Sequence, residues 1–219
     1  KEKFPGMTIT YALLEALEAV QDSGDGRAAI ITKARVTKLI KGADGVVVGV
    51  EYEHDGQTLR ADGPVIIATG GYAADFGADS LVKKYRPEWA HLPTTNGEHC
   101  TGDGIKMSLA IGGTAIDLAH IQVHPTGLVH PDEPDAKVKF LAAEALRGVG
   151  GIILDRDGQR FCNELGRRDY VTGEMWKHNK GPYRLILNGQ ASASIAWHCK
   201  HYAGRGLMKF FKHGNDVAK

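Results

Sequence analysis

The sequence predicts a mixed chain, α/β in its first half and α+β in its second. Three observations predict it. An amphipathic helix near the start leads into a run of short alternating strands. A fully apolar run then stops abruptly at Gly70-Gly71. Further along, a short helical turn stands beside a hairpin pattern rather than in a repeating strand–helix unit.

Composition sets the outer bounds. The 219 residues are 42% hydrophobic and 24% charged, with 27 basic against 26 acidic side chains and a formal charge of +1. That length supports one large domain or two modest ones. No apolar run reaches the length of a bilayer span, so no membrane partner is expected. The near-neutral balance argues against a protein built to hold nucleic acid. Cys100, Cys162 and Cys199 are too scattered for a disulfide framework, which favours a reducing, intracellular setting. The chain opens Lys1-Glu2-Lys3-Phe4-Pro5-Gly6, without initiator Met, signal core or transit segment. A processed protein or an internal piece of a longer one is expected.

The elements follow in order. Ile9, Leu13, Leu17 and Val20 recur at helical spacing across residues 7–21, between Pro5-Gly6 and Ser23-Gly24-Asp25-Gly26. Residues 28–32 read as a short apolar strand. Residues 35–40 alternate, with Val36, Lys38 and Ile40 on one face. Turns at residues 42–45 and 54–56 separate this run from residues 46–53 and 58–61, a three-stranded antiparallel meander. Residues 65–68 then form an apolar strand that ends in Thr69-Gly70-Gly71, a turn that suits close backbone approach to a ligand. A Gly-x-Gly-x-x-Gly turn between strand and helix, which would seat a pyrophosphate, is not found.

Downstream, Cys100-Thr101-Gly102-Asp103-Gly104 opens a helix over residues 105–111, with Thr101 or Asp103 as its cap. His124 precedes Pro125 and is therefore extended. Glu144 and Arg147 are three residues apart and share a face of a helical turn. Residues 152–154 and 160–164 read as a hairpin about Asp155-Arg156-Asp157-Gly158, leading to Arg167-Arg168-Asp169. His198, Cys199 and His201 have no wider ligand set, so no metal is expected. Lys200, Arg205, Lys209 and Lys212 read as a solvated helix face.

The order of the first half resembles the second half of a flavin-binding domain of the glutathione-reductase type. Five ordered strings make the resemblance specific. They are Ala68-Thr69-Gly70-Gly71, Thr101-Gly102-Asp103-Gly104, Gln122-x-His124-Pro125-Thr126, Glu144-Ala-Leu-Arg147-Gly, and Arg160-Phe-x-Asn163-Glu164 leading to Arg168-Asp169. Together they resemble the fumarate reductase/succinate dehydrogenase flavoprotein family. The closing residues 195–206 are similar to its soluble eukaryotic branch, trypanosomatid enzymes included.

The resemblance implies FAD as cofactor, contacted by Val36, Ala68, Thr69, Gly70, Gly71 and Asp103. It implies a substrate carboxylate at His124 and a proton relay of Glu144 and Arg147. Arg168, rather than Arg167, would be the proton donor. Ala143 and Glu144 would face the substrate, and Ala143 stands where the family commonly has Thr. The expected domains are residues 1–119, a partial FAD-binding domain without the dinucleotide turn, and residues 120–219, an incomplete capping domain. The implied reaction is reduction of fumarate to succinate. Reduced flavin or NADH, through other domains, would be the electron donor, in mitochondrion, glycosome or cytosol. Succinate dehydrogenase, aspartate oxidase, a reductase of another unsaturated acid, and a non-catalytic fragment are the alternatives.

Overall fold

In the computed structural model of the protein, residues 5–217 are described. Lys1-Glu2-Lys3-Phe4, part of the opening read above, and Ala218-Lys219 lie outside the described residues. The fold is mixed α/β, and the chain divides into two compact units. One runs from the first described residue to Ala68 and takes in Gly104–Thr114. The other comprises Thr69–Asp103 and the chain from Ala115 onward.

The first unit begins with α1 (Pro5–Asp22), one residue longer at its C-terminal end than its apolar spacing indicated and two at the other. Its apolar stripe is open, with Ile9 and Leu13 62% and 68% exposed. The meander is as expected: β1 (Arg35–Lys41), β2 (Val47–His54) and β3 (Gln57–Asp62) form one antiparallel sheet in that order. His54 pairs with Gln57, and the two residues between them, Asp55 and Gly56, both have positive φ, 49° and 76°. That is the twist-matched two-residue hairpin turn.

Three local readings are corrected. The strict alternation over residues 35–40 fails because a register shift between Val36 and Lys38 adds a residue to β1. Such a bulge rotates the following side chains, and Leu39 rather than Ile40 becomes the buried residue, 4% exposed. Residues 28–32 are no strand: the Ile30 N–H is taken by Gln21 Oε1 at 2.6 Å, so it is not offered to a ladder. Residues 65–68 are also outside any strand. No strand pairs with them among the described residues, and Ile66 is 92% exposed.

The second unit carries more of the chemistry. Its α2 (Leu81–Tyr85) is capped by the buried Ser80, whose hydroxyl accepts from the Lys83 N–H, and a 3-10 turn, Pro87–Trp89, follows. Asp103 opens α3 (Asp103–Ala110), whose body belongs to the first unit. Two-residue strands β4 (Gly127–Leu128) and β5 (Phe140–Leu141) pair, and α4 (Ala145–Gly148) comes next. Then come β6 (Ile152–Leu154), α5 (Arg168–His178), β7 (Arg184–Ile186), α6 (Gly189–Ser194), α7 (Ala196–Ala203) and α8 (Gly214–Val217).

The hairpin expected at residues 152–164 takes another form. β6 pairs antiparallel with β7, and residues 160–164 contribute one bridge, Leu154 to Arg160. A side chain replaces the second strand: Glu164 Oε1 accepts the Ile153 N–H at 2.9 Å. The solvated helix face is corrected too. Of its four cations only Lys200 lies on a helix, although all four are exposed.

The core is small and local. Ala142, Leu146 and Tyr202 are at most 2% exposed and pack with Leu128, Leu185, Leu187 and Ile195. This joins α4 to α7 through apolar contact. The Tyr202 hydroxyl adds a directional bond by accepting the Ala143 N–H at 2.9 Å. The backbone just before Glu144 is thereby fixed to the core. None of the described helices is long and apolar enough to cross a membrane.

Candidate active site

Five polar side chains of the second unit meet between α4, α5 and the extended residues 121–124. Each is placed by a local cause. Glu144 occupies the N-cap position of α4, and Arg147 lies one turn on, so the two share a face. Arg147 donates from Nη2 to Glu144 Oε1 at 3.2 Å. Arg168 is the first residue of α5. That helix is tied to residues 121–124 by Thr172, whose hydroxyl donates to the Val123 carbonyl at 3.3 Å. Arg168 consequently reaches Glu144 with two bonds, Nε to Oε1 at 2.6 Å and Nη2 to Oε2 at 2.7 Å. Its Nη1 donates to Gln122 Oε1.

The electrostatics follow from these bonds. The Arg168 hydrogen bonds hold the Glu144 carboxyl below the usual carboxylate range, against a smaller opposing effect of burial. Glu144 in turn raises the Arg168 guanidinium, so the pair is ionised at neutral pH. Arg147 is 5% exposed, and its Nη1 donates to the carbonyls of Glu164 and Gly166, the latter at 3.0 Å.

His124 stands beside this cluster. Its Nδ1 accepts the Thr126 backbone N–H at 3.2 Å. A backbone amide can only donate, so Nδ1 carries no proton in this arrangement and Nε2 carries it. Burial lowers the His124 pKa, and the Arg168 charge lowers it further against the opposing pull of Glu144. A neutral ring with Nε2–H available as a donor results. Gln122 and His124 line one cavity of about 340 Å³ together with Gly71, Tyr72, Trp89 and Asn96. A second, more open cavity of about 620 Å³ is bounded by Trp89, Gln122, Glu144, Arg168 and Trp176.

The residues expected to touch a flavin fall in both units. Val36 is half-buried on β1, opposite Tyr52, and Ala68 ends the leading segment of the first unit. Thr69, Gly70, Gly71 and Asp103 belong to the second. There, two turns abut: Gly102 N–H donates to the Gly71 carbonyl at 3.1 Å, and Ala74 N–H to the Cys100 carbonyl at 3.0 Å. Gly70 and Gly102 both have φ of +76°. A Cβ at Gly102 would stand 2.8 Å from Tyr72 Cβ, so only glycine fits this approach. The outer side at Gly70 is open, with Cys100 Sγ alone within 4 Å of an added Cβ. Asp103 accepts from the Thr101 hydroxyl at 2.8 Å and stands in the first turn of its helix. An exposed glycine backbone beside an oriented carboxylate is a donor and acceptor set that fits a flavin nucleotide.

The structure thus brings together Glu144, Arg147, Arg168 and His124, and keeps Ala143 next to them through Tyr202. Gln122 joins the site by accepting from Arg168, a role its motif alone does not assign. Its spacing of two from His124 in an extended segment places both on one face, and that signal was readable. Glu164 stands in one of the five motifs without a role assigned to it, while Tyr202 and the Trp89–Trp176 ring contact, 6.0 Å between centroids, have no local signal.

Known proteins agree with the family read from the five motifs. The chain is 49% identical over 212 residues to the fumarate reductase of Schizosaccharomyces pombe, covering 95% of this chain and 41% of that protein. It is 38% identical over 176 residues to fumarate reductase 1 of Saccharomyces cerevisiae, covering 79% and 37%. The open conformation of a flavocytochrome c3 fumarate reductase superposes with a TM-score of 0.57 at 28% identity, covering 78% of this chain and 28% of that one. The chain therefore spans about two fifths or less of the length of these relatives. An FAD-binding-domain model matches residues 1–216, and the chain belongs to that FAD-binding-domain family.

Proposed function

We propose that this chain forms part of an FAD-dependent enzyme that reduces fumarate to succinate, with Arg168 as proton donor. The observation that carries the reading is the continuous chain of hydrogen bonds from Arg168 through Glu144 to Arg147. Residues 1–119 would be the later part of a glutathione-reductase-like FAD-binding domain, and residues 120–219 most of a capping domain.

Fumarate is a flat dianion, and its reduction adds a hydride to one alkene carbon and a proton to the other. FAD, when bound, supplies the hydride. The protein groups do the rest. His124 Nε2–H donates to one substrate carboxylate and stabilises the negative charge that develops there. Arg147 and Arg168 draw the dianion in. Arg168 delivers a proton to the second carbon. Pairing with Glu144 makes Arg168 a weaker acid, yet a carbanion next to a carboxylate is basic enough to take a proton from guanidinium. Once Arg168 has given up its proton, Arg147 passes one to the Glu144 carboxylate, Glu144 hands it on to Arg168, and a proton taken up from solvent restores Arg147. Charge on both arginines suits a dicarboxylate and gives no partner to an uncharged substrate.

The test is Arg168→Ala in the FAD-loaded protein. Flavin content should be unchanged and fumarate-dependent reoxidation of the reduced flavin abolished. Retained turnover would exclude Arg168 as the donor.

A further inference from the structure

Glu164 is a charged side chain that the proton relay does not use, yet it is 3% exposed. All of its bonding capacity points to one task. Oε1 accepts the Ile153 N–H at 2.9 Å, and Arg160 grips both oxygens, with Nε at 3.0 Å from each and Nη2 at 2.6 Å from Oε2. Burial alone would push this carboxyl up, but the Arg160 and Ile153 hydrogen bonds together hold it below the usual range. The side chain is therefore an ionised anchor that ties residues 160–164 to β6.

What the anchor carries is the carbonyl of the same residue, which accepts from Arg147 Nη1. Two residues on, the Gly166 carbonyl accepts from the same nitrogen. A tight turn links the two acceptors: Gly166 N–H donates to the Asn163 carbonyl at 3.0 Å, and Leu165 N–H to Asn163 Oδ1 at 3.1 Å. Arg147 Nε is buried and finds no partner among the described residues. The aim of the Arg147 guanidinium thus depends on Nη1 at this turn and on Nη2 at Glu144.

We propose that Glu164 is a positioning residue for the relay: its anchored backbone sets where Arg147 meets Glu144. This rests on the proton-relay reading above. Removing the anchor lets the turn drift, and a relay bond that already spans 3.2 Å is the first to be lost. The expected consequence is slower proton return to Arg168, with fumarate binding and flavin binding kept.

The experiment compares the FAD-loaded wild-type protein with Glu164→Gln and Arg160→Gln. Fumarate-dependent kcat, KM, flavin content and the solvent deuterium isotope effect on kcat are measured for each. Glu164→Gln is expected to lower kcat about tenfold or more, as a misplacement of about 1 Å can do, and to raise the solvent isotope effect, with KM within about twofold. Arg160→Gln leaves Glu164 in place and should act in the same direction more weakly; it decides the matter if Glu164→Gln does not fold. Unchanged kcat and isotope effect in the folded variants overturn the proposal. So does a kcat loss that only tracks flavin content. Arg168→Ala and Glu144→Gln run alongside: if both turn over normally, the relay reading itself has failed, whatever Glu164 does.

Discussion

Arg168 and Glu144 face each other across 24 residues of sequence and meet through two parallel hydrogen bonds of 2.6 and 2.7 Å. The fork geometry of guanidinium on carboxylate fixes direction as well as distance. It also leaves Glu144 Oε1 shared with Arg147, so one carboxylate connects both arginines.

Glu144→Gln should therefore break the relay without emptying the site. The amide keeps one acceptor for Arg168 but cannot carry a proton between the arginines. Flavin content is expected to stay constant, and kcat for fumarate to fall by about 10² or more, the usual scale of a positioned acid–base group. The pH profile carries a sign. The Glu144 carboxyl is held below its ordinary range by Arg168, so its ionised pair is complete above that range and is lost as pH falls through the lowered value. Arg168 is raised and stays charged throughout. The acid limb of kcat should lie below the ordinary carboxylate pKa of about 4.3. An acid limb near neutrality would show that another group controls turnover.

His124 predicts a stability effect of its own. Its folded-state pKa is depressed, by burial first and by Arg168 second, below the ordinary histidine value of about 6.5. The unfolded chain then binds the proton first. Stability from this group is complete above that value and is lost as pH falls towards the depressed one. Thermal melts of wild type and His124→Gln should diverge across this interval, with wild type losing stability more steeply on acidification. Parallel pH dependences would mean that folding leaves the His124 pKa where it is in the unfolded chain.

Tyr202→Phe tests how the core steers chemistry. The phenol oxygen accepts the half-buried Ala143 N–H, and the ring belongs to the core cluster with Ala142 and Leu146. Phenylalanine keeps the packing and leaves that amide unsatisfied, at a cost of about 1–3 kcal/mol. Denaturant unfolding should show this loss with an unchanged m-value. Fumarate kcat should fall too, because the residue before Glu144 is released. Full activity at reduced stability would confine Tyr202 to a structural role.

How much of this was legible depended on sequence distance. The meander and its Asp55-Gly56 turn were readable, because hairpin register is written in adjacent residues. So was the Glu144–Arg147 pair, because three residues are one helical turn. The Arg168–Glu144 pairing was not readable from spacing and came only through family resemblance. The partner of β6 was missed for a related reason: its neighbour in sequence supplies a glutamate side chain in place of a strand, and the true partner, β7, lies beyond α5. Residues 65–68 show the converse. Their apolar pattern was plain, but a strand exists only where another lies beside it.

Ala143 provides the last prediction. It precedes Glu144, it is half-buried, and its N–H is already committed to Tyr202. Its methyl group can neither donate nor accept. A threonine at this position adds a hydroxyl on the residue before the carboxylate that bridges both arginines. Ala143→Thr should therefore bind a dicarboxylate more tightly, by roughly one hydrogen bond to a charged group, about 1.5 kcal/mol or more than tenfold in KM. Because that contact is made equally in ground and transition states, kcat should stay nearly constant. Steady-state kinetics with fumarate, and competitive inhibition by succinate, would show it, both constants falling together. If KM stays at the wild-type value while the variant folds and keeps its flavin, the hydroxyl does not face the substrate, and the carboxylate is held by His124 and the arginines alone.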